Sequence, residues 1–185
     1  MALRNSQQAY GAVARFAHWA TALFVVLAWL LGQFRDVFPR GAARDASLFV
    51  HMSLGLSVIL LLILRLVWRA IDPPPPAVQA ARFEPWLSYV AKAGHLLLYV
   101  LLIATPILGI VLQFARGQAL PAFGLFDIPS PWTMDRAFFR QIIELHELAA
   151  NLLGVVALGH AAAALFHHFS LRDRTLARML PGLAR

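Results

Sequence analysis

No cysteine occurs in the 185 residues, and that one absence removes disulfides, thiolate-bound zinc and cysteine-held iron–sulfur clusters together. Charge is scarce too, with only 14% of residues being Asp, Glu, Lys or Arg. The net charge is nevertheless +7, which would suit a nucleic-acid binder if the basic residues formed a run or an aromatic-interleaved stripe. They do neither, and instead sit scattered at the ends of apolar segments, so nucleic acid is not an expected partner. No internal repeat stands out. The first nine residues are polar and lead into an apolar segment without a small-x-small cleavage site, so that segment is expected to be a retained span rather than a signal peptide.

What is present in excess is apolar surface. Hydrophobic residues make up 60% of the chain and its mean hydropathy is +0.67, more than a soluble domain of this length carries. Lipid is therefore the expected surrounding. Four stretches reach the roughly 20 residues needed to cross a hydrocarbon core of about 30 Å, at residues 14–34, 48–68, 94–114 and 142–169. Each must be helical, because lipid offers no partner to free backbone groups. The expectation is an all-α, integral membrane four-helix bundle forming one domain over residues 1–185. The connecting segments are legible: 35–46 has Pro39, Gly41 and mixed charge, and 69–92 has the extended spacer Pro73-Pro74-Pro75-Pro76. Residues 115–140 are rich in proline, glycine and aromatics, as suits a loop lying against the membrane surface.

Positive charge sets the expected orientation. With the N-terminus inside, Arg4, Arg15, Arg65, Arg69, Arg82, Lys92, Arg172, Arg174, Arg178 and Arg185 face the cytoplasm, against Arg35, Arg40, Arg44, Arg116, Arg136 and Arg140 outside. Ten against six favours both termini being cytoplasmic. Trp68, Trp86 and Trp132 fall near the predicted boundaries and are candidate interface anchors.

Four histidines lie within the spans, where ionisable side chains are costly and read by default as functional. His146 and His160 are fourteen residues apart, close to four helical turns, so both project from nearly one face about 21 Å apart. In the expected orientation His18 is near the inner end of the first span and His51 near the outer end of the second. Depth alone then pairs His18 with His160 and His51 with His146. Each pair draws on two helices, as a cofactor wedged in a bundle requires.

Two imidazoles with no assured third ligand make a poor zinc site but a good axial pair for haem iron. With no Cys-x-x-Cys-His attachment, the haem would be of the non-covalent b type, and two heme b groups, one per histidine pair, are expected. Gly55 and Ala150, one turn after His51 and His146, leave room for a flat macrocycle, although small residues also serve close helix packing. A single intramembrane histidine is as often a hydrogen-bonding or proton-relay residue; four that pair by depth are harder to read that way. His95 has no depth partner left: it could replace His18 as ligand or bond a propionate or quinone. His167, two turns beyond His160, suits a proton donor beside a quinone, and equally an interfacial role. His168 points elsewhere.

The sequence resembles the bacterial cytochrome b561 family. The stretches that carry the likeness are Arg15-Phe-Ala-His-Trp19, Phe34-Arg-Asp-Val-Phe-Pro-Arg40, Val50-His-Met-Ser-Leu-Gly55, Gly94-His95, Arg116-Gly117, Ala122-Phe-Gly-Leu125, His146-Glu147, and Gly159-His-Ala-Ala-Ala-Ala-Leu-Phe-His-His-Phe169 followed by Asp173 and Met179-Leu-Pro181. The resemblance implies a diheme protein of the bacterial inner membrane with His18, His51, His146 and His160 as iron ligands. It further implies superoxide:ubiquinone oxidoreductase activity, with a quinone contact at the His167 position. On that reading superoxide gives electrons at the outer pair, and ubiquinone is reduced near the inner pair with His167 and Lys92 assisting. The outer arginines would attract superoxide, offset formally by Asp36, Asp45, Asp127, Asp135, Glu144 and Glu147. Two other classes share these histidines: an electron-transfer subunit docked to a dehydrogenase or hydrogenase redox partner protein, and a non-redox proton or metal carrier.

Overall fold

The computed structural model describes residues 2–76 and 85–180, with side chains from residue 88 onward in the second stretch. Arg82, Pro181, Arg185 and the side chain of Trp86 lie outside the described residues. Four helices follow in order: α1 (Ala12–Gln33), α2 (Ala42–Ile71), α3 (Pro85–Ala115) and α4 (Arg136–Phe166). All four are long and apolar enough to cross a membrane. The sequence pattern located every span but undershot three of them. At 30 or 31 residues and 1.5 Å per residue, α2, α3 and α4 run for about 45 Å. Hydropathy detects only the apolar middle; the charged ends of α2, such as Arg44 and Asp45, continue the helix beyond it.

The 115–140 connection is more ordered than a loop. Strands β1 (Leu120–Ala122) and β2 (Phe126–Ile128) pair antiparallel, with Leu120 opposite Ile128. Gly124 turns the hairpin at φ +71°, and a Cβ there would stand 3.4 Å from the Phe49 ring of α2, so the turn needs glycine for backbone shape. Asp135 then starts α4 by accepting from the backbone N–H groups of Ala137 and Phe138 at 2.9 and 3.1 Å, a side-chain N-cap. Trp132 packs edge-on between Phe114 and Phe138, fixing the last approach to α4.

Inside the bundle, α1 packs chiefly on α2 and α3 on α4. The buried centre holds Val58, Leu62, Leu101, Leu102 and Leu153, with Phe24, Val25 and Val156 against it. Leucines and valines elsewhere on the helices face outward, Leu60, Leu158 and Val155 among them, the pattern of a bundle solvated by lipid. Trp29 Nε1 and Gln33 Nε2 both donate to Asn151 Oδ1, tying α1 to α4 with polar side-chain bonds.

Both described ends of the chain meet at one face. Arg178, only 8% exposed, donates to the carbonyls of Gln8 and Pro76 at 3.2 and 2.8 Å and sits over the Tyr10 ring. The guanidinium thereby joins the N-terminal segment, the proline spacer and the C-terminal turn.

Candidate functional site

The fold gathers the histidines into two groups at opposite ends of the bundle. His51 of α2 faces His146 of α4 with ring centres 6.1 Å apart. His18 of α1 faces His160 of α4 at 6.2 Å. Metal–nitrogen bonds of about 2.0 Å and a ring-centre-to-nitrogen distance of about 1.1 Å put two imidazoles that share one iron about 6.2 Å apart. Both separations match that spacing. His95 lies 5.2 Å from His160, about 1 Å too close for the two to sit on opposite sides of one iron.

At the His51–His146 pair the backbone of a neighbouring helix aims each ring. His51 Nδ1 donates to the Ala28 carbonyl at 2.8 Å, and His146 Nδ1 to the Thr105 carbonyl at 3.0 Å. A bond of this kind fixes the tautomer and leaves Nε2 free for a metal. One device serves both, for a glycine stands four residues after each carbonyl. A Cβ at Gly32 would lie 3.5 Å from His51 Cε1, and one at Gly109 would lie 3.2 Å from His146 Cε1. Glycine lets the ring lie against the next helix and reach its carbonyl. These supports are invisible to helical spacing within the histidines' own helices, which singles out Gly55 and Ala150 instead. Only a carbonyl-x-x-x-Gly pattern on a different helix would have pointed to them. A Cβ at Gly55 meets nothing within 4 Å, so beside His51 there is open space of the kind a flat macrocycle needs.

The group of His18, His95 and His160 is built differently. His18 Nδ1 is buried and has no hydrogen-bond partner among the described residues, although buried polar atoms are nearly always partnered. His18 packs edge-on against Trp19, and Trp19 Nε1 donates to the Met179 carbonyl at 3.2 Å. Among the described residues no cluster of three or more His, Cys, Asp or Glu could cage a bare metal ion. Paired imidazoles at iron spacing, open room at Gly55 and an unpartnered ring nitrogen fit a b-type haem.

Beyond His160 α4 ends in a π-helical turn, His167–Leu171. There His167 Nδ1 meets Asp173 Oδ2 at 2.5 Å, while Asp173 Oδ1 accepts from the Thr175 backbone N–H at 2.8 Å. Burial pushes the Asp173 carboxyl up, but hydrogen bonds from His167 and Thr175 outweigh it and hold the group below its usual value. The sign follows: this contact stabilises the turn above the ordinary carboxylate pKa of about 4 and is lost as pH falls through the depressed one. The sequence marked His167 and Asp173 separately; the turn that joins them was not legible in helical periodicity. His168 packs on Phe169, away from this pair.

At the other end Arg35 follows α1 and Arg116 follows α3, three residues beyond Gly32 and seven beyond Gly109. The Arg116 guanidinium is held below its usual value by burial and by the neighbouring Arg35 charge. The ion pairs among the described residues are Arg44–Asp36 and His167–Asp173. Arg35 and Arg116 therefore carry uncompensated charge there, whereas Arg44 is engaged by Asp36 and the Phe38 carbonyl.

Comparison with known proteins agrees with this architecture. The family model for prokaryotic cytochrome b561 matches residues 9–182. A Yersinia pestis protein named probable superoxide oxidase CybB is 34% identical over 164 residues, covering 89% of this chain and 91% of that protein. Cytochrome b561 homolog 2 of Escherichia coli K12 is 32% identical, covering 97% of this chain and 95% of the homolog. Cytochrome b561 homolog 1 of the same organism is 33% identical, with 90% and 93% covered. The chain belongs to the prokaryotic cytochrome b561 family, whose members bind b-type haem, and is a multi-pass electron-transfer protein of the bacterial inner membrane.

Proposed function

We propose that the protein is a superoxide:ubiquinone oxidoreductase holding two b haems, one between His51 and His146 and one between His18 and His160. The observation that carries this reading is the pair of imidazole separations, 6.1 and 6.2 Å, at opposite ends of one bundle. The relative named as a probable superoxide oxidase supports the choice of donor. The end carrying the described termini is the cytoplasmic one, by the excess of arginine there. A b haem held between each pair of histidines would supply outer-sphere one-electron transfer.

The stoichiometry is fixed by the substrates. Two superoxide anions each give up one electron and leave as dioxygen, while one quinone takes both electrons and two protons to become quinol. The chain's own residues then have separable tasks. Ala28 and Thr105 carbonyls hold the outer imidazoles in one orientation. Arg35 and Arg116 draw superoxide to that end. His167, steadied by Asp173, hands protons to the quinone at the opposite end.

Two results are expected. Purified protein reduces ubiquinone with superoxide, and Arg35→Gln combined with Arg116→Gln lowers kcat/KM for superoxide about tenfold at low ionic strength and flattens its salt dependence. Failure of superoxide to reduce the haems, or stoichiometric co-purification of a dehydrogenase that does, would transfer the chain to the electron-relay class. At the other end, Asp173→Asn is expected to lower kcat about tenfold with the quinone KM within about twofold, and Asp173→Glu to restore part of it, as a partner that orients a proton donor predicts. Equal losses for Asn and Glu, or a change confined to KM, would remove His167 from the proton route.

A further inference from the structure

At the face that carries the described termini, α1, the last turns of α2 and the middle of α3 enclose a cleft lined by Ala17, Arg65, Trp68, Arg69, Asp72 and Tyr99. Its chemistry is that of a receiver for an anion. Arg65 and Arg69 stand one helical turn apart, and the ion pairs among the described residues involve neither. Arg65 sits over the Tyr99 ring at 5.6 Å, which steadies a guanidinium while leaving its N–H donors unspent. Trp68 Nε1, a donor with no acceptor role, is buried and unpartnered among the described residues. Asp72, whose carboxylate accepts from the Asn5 backbone N–H at 2.7 Å, brings one negative charge against two guanidiniums, so the cleft keeps a net positive charge.

The position of the cleft says which anion. Ala17, fully buried, lines the cleft beside Arg65 and precedes His18 in the chain, which faces His160 at 6.2 Å. The inner wall of the cleft is thus the edge of the inner histidine site. A b haem carries two carboxylates on its rim, and a carboxylate drawn into low dielectric needs matched cations and hydrogen bonds. We propose that the Arg65–Trp68–Arg69 cleft seats a propionate carboxylate of the inner haem, paired with the guanidiniums and accepting from the indole N–H. This rests on the reading above that His18 and His160 hold a haem. A phospholipid phosphate shares the oxyanion chemistry, but it would approach from the membrane surface rather than from the buried wall at Ala17.

The test uses holoprotein in phosphatidylcholine nanodiscs, with haem labelled with carbon-13 at the propionate carboxyls through labelled δ-aminolevulinate. Redox infrared difference spectra then read those carboxylates directly. Arg65→Gln and Arg69→Gln are each expected to shift the label-sensitive bands of the inner haem, Arg65→Lys to shift them less, and the exposed Arg4→Gln to leave them in place. The Arg65→Gln/Arg69→Gln double variant is expected to lose one of its haems to excess apomyoglobin about tenfold faster than the wild type. Should Arg65→Gln not fold, Arg69→Gln and Arg65→Lys carry the test. Unshifted labelled bands in the folded variants overturn the proposal. So does an effect that appears only when phosphatidylglycerol is added, which assigns the cleft to lipid phosphate. Wild-type protein with fewer than two haems fails the earlier reading instead, before any variant is made.

Discussion

Replacing His146 by alanine is expected to cut the haem content from two per chain to one and to lower superoxide-driven quinone reduction more than a hundredfold. On the proposed ligation His146 supplies one side of the site it shares with His51, and its ring is held by the Thr105 carbonyl at 3.0 Å. An alanine leaves that carbonyl and the facing His51 with nothing between them to bind. The inner pair stands at the far end of the bundle with its own histidines, so its haem stays. His51→Ala should give the same stoichiometry, and His160→Ala the reciprocal one, keeping the outer haem alone. His95→Ala should keep both, because a ring 5.2 Å from His160 is too near to lie across an iron from it. Haem-to-protein ratios and visible spectra of the purified variants decide the matter. Two haems in His146→Ala, or one in His95→Ala, would redraw the ligand assignment.

How far the sequence foretold this arrangement depends on which physical signal each part leaves. Span number and order came from hydropathy, because about 20 apolar residues in a row have few other uses. The grouping of His18 with His160 and of His51 with His146 followed from depth, since a helix of fixed rise turns position along the chain into position across the membrane. Helix ends were less legible: α2 starts at Ala42, where charge has already replaced apolar residues and hydropathy is silent. The hairpin over 120–128 was hidden too, since its pairing of Leu120 with Ile128 joins two strands of only three residues. The His167–Asp173 contact depends on a π-helical turn that shifts the chain off the 3.6 period. The supports of the outer rings left the faintest trace, because Ala28, Gly32, Thr105 and Gly109 act from helices other than those bearing the histidines they aim.

Those supports make a sharp contrast between two substitutions of the same kind. Gly109→Ala is expected to lower superoxide-driven quinone reduction about fivefold to tenfold, whereas Gly32→Ala should stay within about twofold of the wild type. The added Cβ at Gly109 would stand 3.2 Å from His146 Cε1, inside comfortable contact, while at Gly32 it would stand 3.5 Å from His51 Cε1. Near 3.2 Å the ring has to move by a few tenths of an ångström, and it is restrained by the Thr105 carbonyl and, on the proposed ligation, by the haem iron. Near 3.5 Å nothing has to move, and a helix loses no stability when alanine replaces glycine at a site that accepts a Cβ. The strain should be visible before it is lethal: Gly109→Ala keeps two haems but alters the electron paramagnetic resonance signal of the outer one, which reports how the axial imidazoles are turned. Gly109→Val goes further and loses that haem, because a branched side chain cannot fold away from the ring. Equal and mild effects at the two glycines would mean that His146 is free to tilt, and that its bond to Thr105 does not set the geometry of the outer site.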